Sequence, residues 1–266
     1  MSIGVSSAVL YPEYSEIATE KLTNGGFDVF EFFYNCDEEI SLPFIEKMKT
    51  FCNKASFISI HPYTAFAEGV FFFSAYERRT REALEKYKNA FRMANELGVK
   101  YFTLHGDRLF GKVSECILTD KAAETLSLLA DSAKEEGITL CLENVSWCKS
   151  SNPDYIRAVS EKVRNIGFTL DLKQARRANI PYKAYIDAMG SKILNIHVSD
   201  FDTEHDCLLP GKGIFDFNKF KKEIEEIGYR GDLLIEVYSE AFTKMAELAE
   251  SKRYLEDIFA SNITNM

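Results

Sequence analysis

The feature that most restricts the fold is an alternation along the whole chain: short β-rich apolar segments, each followed by a longer polar segment of helical period. The β-type segments lie at 3–10 (IGVSSAVL), 27–34 (FDVFEFFY), 56–61 (SFISIH), 99–105 (VKYFTLH), 138–143 (ITLCLE), 166–171 (IGFTLD), 193–198 (ILNIHV) and 232–237 (DLLIEV). From the second onward they begin 27 to 43 residues apart, which is room for a strand and one crossover helix. In TREALEKYKNAFRMANELGVK, the residues Leu84, Tyr87, Phe91, Ala94 and Leu97 fall near one helical face, and Gly98 follows in a C-cap position. Gly137 takes that place before the fifth strand, and Gly231 or the nearer Gly228 before the eighth. Eight strand–helix units whose strands are largely apolar predict an α/β fold, a closed (β/α)8 TIM barrel. With no linker or composition break, residues 1–266 read as one domain. A doubly wound open sheet is the competing architecture, but no glycine fingerprint follows the first strand.

Charge and composition narrow the partners. The net charge of −9 repels phosphate backbones, so nucleic acid is not expected as a partner and a small molecule is. No apolar run approaches the ~20 residues of a membrane helix, and the N-terminus reads as a first strand rather than a signal peptide. Six scattered cysteines without a CxxC pair fit a reducing, cytoplasmic setting.

In a (β/α)8 barrel, chemistry sits at the C-terminal ends of the strands. Here strand three ends on His61, four on His105, five on Glu143, six on Asp171, seven on His197 and eight on Glu236. The chain has four histidines; three stand at these ends, and the fourth, His205, follows strand seven. Each residue alone has an ordinary reading: a hydrogen-bonded core histidine, a helix N-cap for Asp171, a solvated acid for Glu236. Together they place three carboxylates and an imidazole around one barrel mouth, and three like charges there require a cation. The set Glu143, Asp171, His197 and Glu236 is rich in hard oxygen donors and suits one divalent ion: Mn, Mg, Co or Zn.

These motifs, SIHPY, FTLHGD, CLENV, FTLDLKQA, NIHVSD, LLPGKGIFDF and LLIEVY, occur in an order that resembles the xylose isomerase-like barrels of sugar phosphate isomerases and epimerases. The resemblance covers nearly the whole chain. It implies that Glu143, Asp171, His197 and Glu236 bind the metal, and that Glu143 and Glu236 form the proton-transfer pair, as in ketose 3-epimerase-like members. Endonuclease IV-type enzymes of the same superfamily look similar at His61 and His105. They place a histidine where this chain has Gln174, and an Asp-x-His pair where His205 and Cys207 fall. Gln174 also replaces a histidine that many sugar epimerases use to hold substrate, and Lys212 stands where glutamate is usual.

The expected activity is therefore isomerisation or epimerisation of a small sugar or sugar derivative. Metal chelation of carbonyl and hydroxyl stabilises an enediolate while the two glutamates exchange the proton. His61 and His105 are expected on substrate hydroxyls, and Trp147 with the aromatics of residues 64–76 as a wall or lid over the sugar, or as a face between copies of the chain. Lys173, Gln174, Lys212 and His205 are further substrate contacts, the cationic ones for a phosphate or carboxylate. Glu31 is placed to orient a histidine, and Asp200 to receive a ring N–H or a hydroxyl; each also reads as a structural acid. The alternatives are an inosose dehydratase-like lyase, an endonuclease IV-like phosphodiester hydrolase and a non-catalytic sugar-binding protein.

Overall fold

A computed structural model describes residues 1–112 and 116–260. Eight strands, β1 (Ile3–Ser6), β2 (Val29–Tyr34), β3 (Ser56–Pro62), β4 (Tyr101–Leu104), β5 (Thr139–Glu143), β6 (Ile166–Asp171), β7 (Ile193–Val198) and β8 (Leu233–Ile235), pair in sequence order. Every pairing is parallel, and β8 returns to β1, with Ile3 opposite Leu233, so the barrel is closed. Closure leaves no strand edge exposed.

The helices between strands are α1 (Ser15–Asn24), α2 (Leu42–Phe51), α3 (Glu68–Phe72), α4 (Glu77–Leu97), α5 (Asp120–Glu135), α6 (Pro153–Lys162), α7 (Leu172–Arg177), α8 (Tyr182–Met189) and α9 (Phe217–Glu226); α10 (Met245–Phe259) follows β8. In α4, Tyr87, Phe91, Ala94 and Leu97 are buried as their spacing predicts, while Leu84 is half-buried and Ala83 and Ala90 join the buried stripe. Gly98 closes α4 at φ 86°. After α9 the left-handed residue is Gly228, at φ 79°, rather than Gly231. None of the helices is long and apolar enough to cross a membrane among the described residues.

Strand ends differ from the sequence reading in an instructive way. The apolar run that opens the chain stops being strand at Ser6, and Ser7–Leu10 winds into a 3-10 turn capped by the Ser6 hydroxyl. β4 and β8 stop one residue short of His105 and Glu236, so both stand on the first loop residue at the mouth. The segment after β3 is not an open loop: a 3-10 turn at Tyr63–Ala67 runs into α3. Phe72 packs edge-on to Tyr87, which in turn meets Phe91, while Phe66 remains exposed.

The strands are buried on both sides, but only the side facing the helices is uniformly apolar. Alternate residues face the lumen. A small apolar group of Val29, Ile58 and Leu234 is separate from the main core. The lumen also holds a polar layer in which Glu31, Ser59, Thr103 and Asn195 bond across four strands. This layer underlies the mouth.

Candidate active site

The same alternation carries Glu143, Asp171 and His197 to the top of the lumen, and Glu236 joins them from the loop after β8. One ligand-type atom from each lies within 4.8 Å of all the others. The Nδ1 atom of His197 is 3.2 Å from Glu236 Oε2, 3.7 Å from Glu143 Oε1 and 3.8 Å from Asp171 Oδ2. Beneath it, His197 Nε2 donates to Glu31 Oε2 at 3.1 Å, which fixes the ring with Nδ1 turned to the carboxylates. Glu31 is wholly buried and also accepts from Ser59 Oγ at 2.9 Å.

Polar satisfaction shows what this cluster lacks. Glu143 Oε2, Asp171 Oδ2 and His197 Nδ1 are buried without a hydrogen-bond partner. Such atoms cost free energy on the order of 1–3 kcal/mol each, more where charged. Three carboxylates and an imidazole, each with a ligand-type atom within 4.8 Å of the others, form an oxygen-rich donor set that suits a hard divalent cation. The electrostatics agree. Burial opposes ionisation of Glu143, but His105, His197 and His61 outweigh it and hold the carboxyl well below its usual range. At Glu236 burial is likewise outweighed, here by Lys173 and His197. At Asp171 burial dominates; Lys173 and His197 offset only part of it, Glu236 and Glu143 add to it, and the carboxyl is pushed up to about 7. Burial disfavours a charged His197, yet Glu31 and Glu236 raise its pKa well above the ordinary value. The metal-free ring thus keeps on Nδ1 a proton that a cation would displace.

A second convergence shares Glu143. His61 Nε2 and His105 Nε2 are 2.9 Å apart, and His105 Nε2 is 3.0 Å from Glu143 Oε2. His61 Nδ1 faces the Pro62 carbonyl at 3.2 Å, which directs the Nε2 lone pair into the site. Of the six strand-end residues, His105 and Glu236 have the most exposed side chains, 14% and 13%.

A sequence profile of the xylose isomerase-like TIM barrel matches residues 20–258. The chain belongs to that family. Its relatives include the inosose isomerase of Bacillus velezensis, 25% identical over 189 residues, which cover 66% of this chain and 67% of that protein. The fructoselysine 3-epimerase of Escherichia coli O157:H7 is 24% identical over 168 residues, 60% of this chain and 61% of that protein. Among solved structures, a D-tagatose 3-epimerase-like protein superposes with a TM-score of 0.80 at 22% identity, covering 98% of this chain and 97% of the other. An L-ribulose 3-epimerase gives 0.75 at 20% identity, with all of both chains covered.

In this xylose isomerase-like barrel the remaining sequence candidates divide. Trp147 stands at the mouth, its ring edge-on to His105 at 5.3 Å. The Lys173 ammonium is drawn into the cluster, 3.0 Å from Glu236 Oε2 and 3.6 Å from Asp171 Oδ2, and lies over the Tyr238 ring. It thereby pairs with two carboxylates of the cluster. The Gln174 side chain accepts from the backbone and hydroxyl of Ser146, at 3.1 and 2.9 Å, and so braces the loop after β5. His205 lies outside the cluster: its ring is 57% exposed and bonds Asp202. Lys212 is exposed and pairs with Glu250. Asp200 turns to neither a histidine ring nor the mouth; it accepts from the amides of Phe201, Gly211, Gly213 and Phe215 and so shapes the GKG loop. Gly213 is required there, since a Cβ would lie 2.2 Å from the Phe201 carbonyl oxygen.

Sequence reasoning missed Asn144, which exchanges two hydrogen bonds with the Asp171 backbone, at 2.7 and 2.9 Å, and locks the ends of β5 and β6 together. The signal was its place next to Glu143. It also missed Glu68, in α3, whose Oε2 accepts from the His105 and Gly106 amides, both at 2.7 Å, while Oε1 accepts from Tyr87 Oη at 2.8 Å. An acid inside an aromatic-rich run, TAFAEGVFFF, was the available sign.

Proposed function

We propose that the protein is a divalent-metal-dependent isomerase or epimerase of a small sugar or sugar derivative, with Glu143, Asp171, His197 and Glu236 holding one metal ion. The observation that carries this reading is the convergence of one donor atom each from Glu143, Asp171, His197 and Glu236, all within 4.8 Å of one another, at the barrel mouth. The epimerase and isomerase names of its relatives support it. When bound, the cation polarises a carbonyl and acidifies the neighbouring C–H.

Glu143 and Glu236 are the proton-transfer pair. Both carboxyls are held well below their usual range, so both are ionised at neutral pH and ready to accept a proton. They enter the site from strands three positions apart around the ring, so a sugar between them presents different faces to each. His105, at the exposed side, and His61 beneath it hydrogen-bond substrate hydroxyls. Trp147 covers the sugar. The test is deuterium uptake at the carbon next to the carbonyl when D-fructose, D-tagatose and D-psicose are incubated in D2O with the Mn-loaded enzyme. Exchange without loss of water identifies an isomerase or epimerase; a dehydrated product identifies the lyase. No exchange with any ketose, despite bound metal, contradicts the reading.

One observation favours a second reading, phosphodiester hydrolysis on two cations: His61, His105 and Glu143 form a second group of convergent donor atoms. Neither donor group includes His205 or Cys207 among the described residues, and the net charge of −9 opposes a polyanionic substrate. Two bound metals per chain, with cleavage of an abasic duplex, would establish it instead.

A further inference from the structure

Beyond the donor cluster, the loops after β3, β4 and β5 enclose a groove of about 450 Å³. Its walls include Phe66, Val70 and Phe110, all exposed, and its cations are Arg79, Arg108 and Lys149. Lys149 is paired with Asp107 at 2.7 Å. Arg79 and Arg108 have no carboxylate partner among the described residues; their guanidinium groups lie only against aromatic rings, Arg79 over Tyr76 and Arg108 over Phe110 and Trp147. Two cations without carboxylate partners lining one groove are unexpected in a chain of net charge −9.

The groove is joined to the proposed reaction centre through one ring. Trp147 touches His105 on one side, 5.3 Å between centroids, and carries Arg108 on the other, 5.7 Å from its ring. The two loops are tied by an antiparallel bridge between Arg108 and Cys148, with the Leu109 amide bonded to the Trp147 carbonyl at 3.0 Å. From the far side, α3 presses against Arg108 at Gly69, where a Cβ would stand 3.0 Å from the Arg108 Cβ and amide nitrogen. Arg108 is thus held in place by backbone contacts on two sides.

We infer that this groove is a subsite for an anionic group, a phosphate ester or a carboxylate, at the far end of the substrate from the reacting carbon, with Arg79 and Arg108 as its ligands. Guanidinium groups match both anions in planar, two-point geometry. A local positive patch in an acidic protein also steers an anion to the mouth rather than elsewhere. As the end of a sugar substrate, the subsite rests on the isomerase or epimerase reading; as an anion site it is testable alone.

Trp147 is the single tryptophan of the chain, so its emission reports from the edge of the groove. The full chain, with and without Mg, is titrated with inorganic phosphate and separately with acetate at fixed ionic strength, followed by emission and by calorimetry. Saturable binding is expected, weakened about tenfold or more in Arg108→Met and in Arg79→Met, the worth of one charge-assisted contact. Arg79→Met leaves the Trp147 neighbour in place, so its result stands apart from any change in baseline emission. Tighter phosphate binding assigns a phosphate ester, and tighter acetate binding a carboxylate. No saturable binding by either method, or equal affinity in wild type and both folded variants, overturns the subsite. Failure of the isomerase reading shows separately, as absent deuterium exchange.

Discussion

Glu31→Gln is the perturbation that most sharply separates a metal centre from a cluster of buried acids. Glu31 does not reach the donor point; it acts through His197. Its Oε2 receives the ring N–H at 3.1 Å and the hydroxyls of Ser59 at 2.9 Å and Thr103 at 3.4 Å. Glutamine keeps the shape and one acceptor oxygen but removes the charge, so the ring stays oriented while its partner becomes neutral. Two effects then oppose each other. The metal-free ring loses a carboxylate that raises its pKa, which eases displacement of the Nδ1 proton. The divalent ion loses the same carboxylate, and it carries one more unit of charge than the proton it displaces, so the loss wins. Substitutions of groups that orient a ligating histidine typically weaken metal binding by about 10–100-fold, or roughly 1.4–2.7 kcal/mol. Competition against a fluorescent chelator measures this directly, and an unfolding midpoint close to wild type shows that the barrel is intact. Affinity within about twofold of wild type in a folded variant would refute the reasoning, because His197 Nδ1 could not then be a ligand tuned from below.

Other outcomes follow from the same geometry. Glu143→Gln and Glu236→Gln each lower ketose C–H exchange by about 10²–10⁴-fold at saturating Mn; exchange surviving in both, measured by NMR in D2O, contradicts the proton-transfer pair. Gly213→Ala, which drives a methyl into the Phe201 carbonyl and the Asp200 carboxylate, destabilises by about 1–3 kcal/mol in chemical denaturation; an unchanged midpoint means the GKG loop is not held as described. Burial pushes the Glu68 carboxyl up to about 8, against the hydrogen bonds it accepts from Gly106, Tyr87 and His105. Its folded pKa exceeds its unfolded one, so its contribution is full below about pH 4.5 and is lost as pH rises through about 8. Stability of wild type should therefore fall by a few kcal/mol across that window relative to Glu68→Gln, which mimics the neutral acid; a difference between the two that does not change with pH contradicts this.

The barrel was legible because its period is carried by the strands themselves. IGFTLD ends on Asp171 in the structure as in the sequence, and ILNIHV is strand over the whole segment read from the sequence, Ile193–Val198, one residue past His197. The first segment was read too long because Val9 and Leu10 look like strand; hydrophobicity cannot distinguish a strand from a buried 3-10 turn. The strand-end acids and histidines could be gathered into one site because parallel strands in a closed barrel deliver their ends to one rim. What sequence could not give depends on partners distant in the chain. Glu68 is bonded to backbone amides 37 and 38 residues away, and backbone donors leave no mark in a sequence. Ser59, Thr103 and Asn195 read as interruptions of apolar strands, and only closure of the sheet turns them inward to Glu31. The pairing of Lys173 with Glu236 likewise depends on a residue 63 positions further on.

The most direct measurement of the central claim is the metal content of the purified chain, by elemental analysis of wild type and Glu236→Ala after saturation with Mn and exhaustive dialysis. The geometry of Glu143, Asp171, His197 and Glu236 predicts about one equivalent in wild type and a substoichiometric residue in the variant. No retained metal in wild type, with none bound on titration, would contradict it and leave the converging carboxylates and imidazole at the mouth without the cation proposed for them.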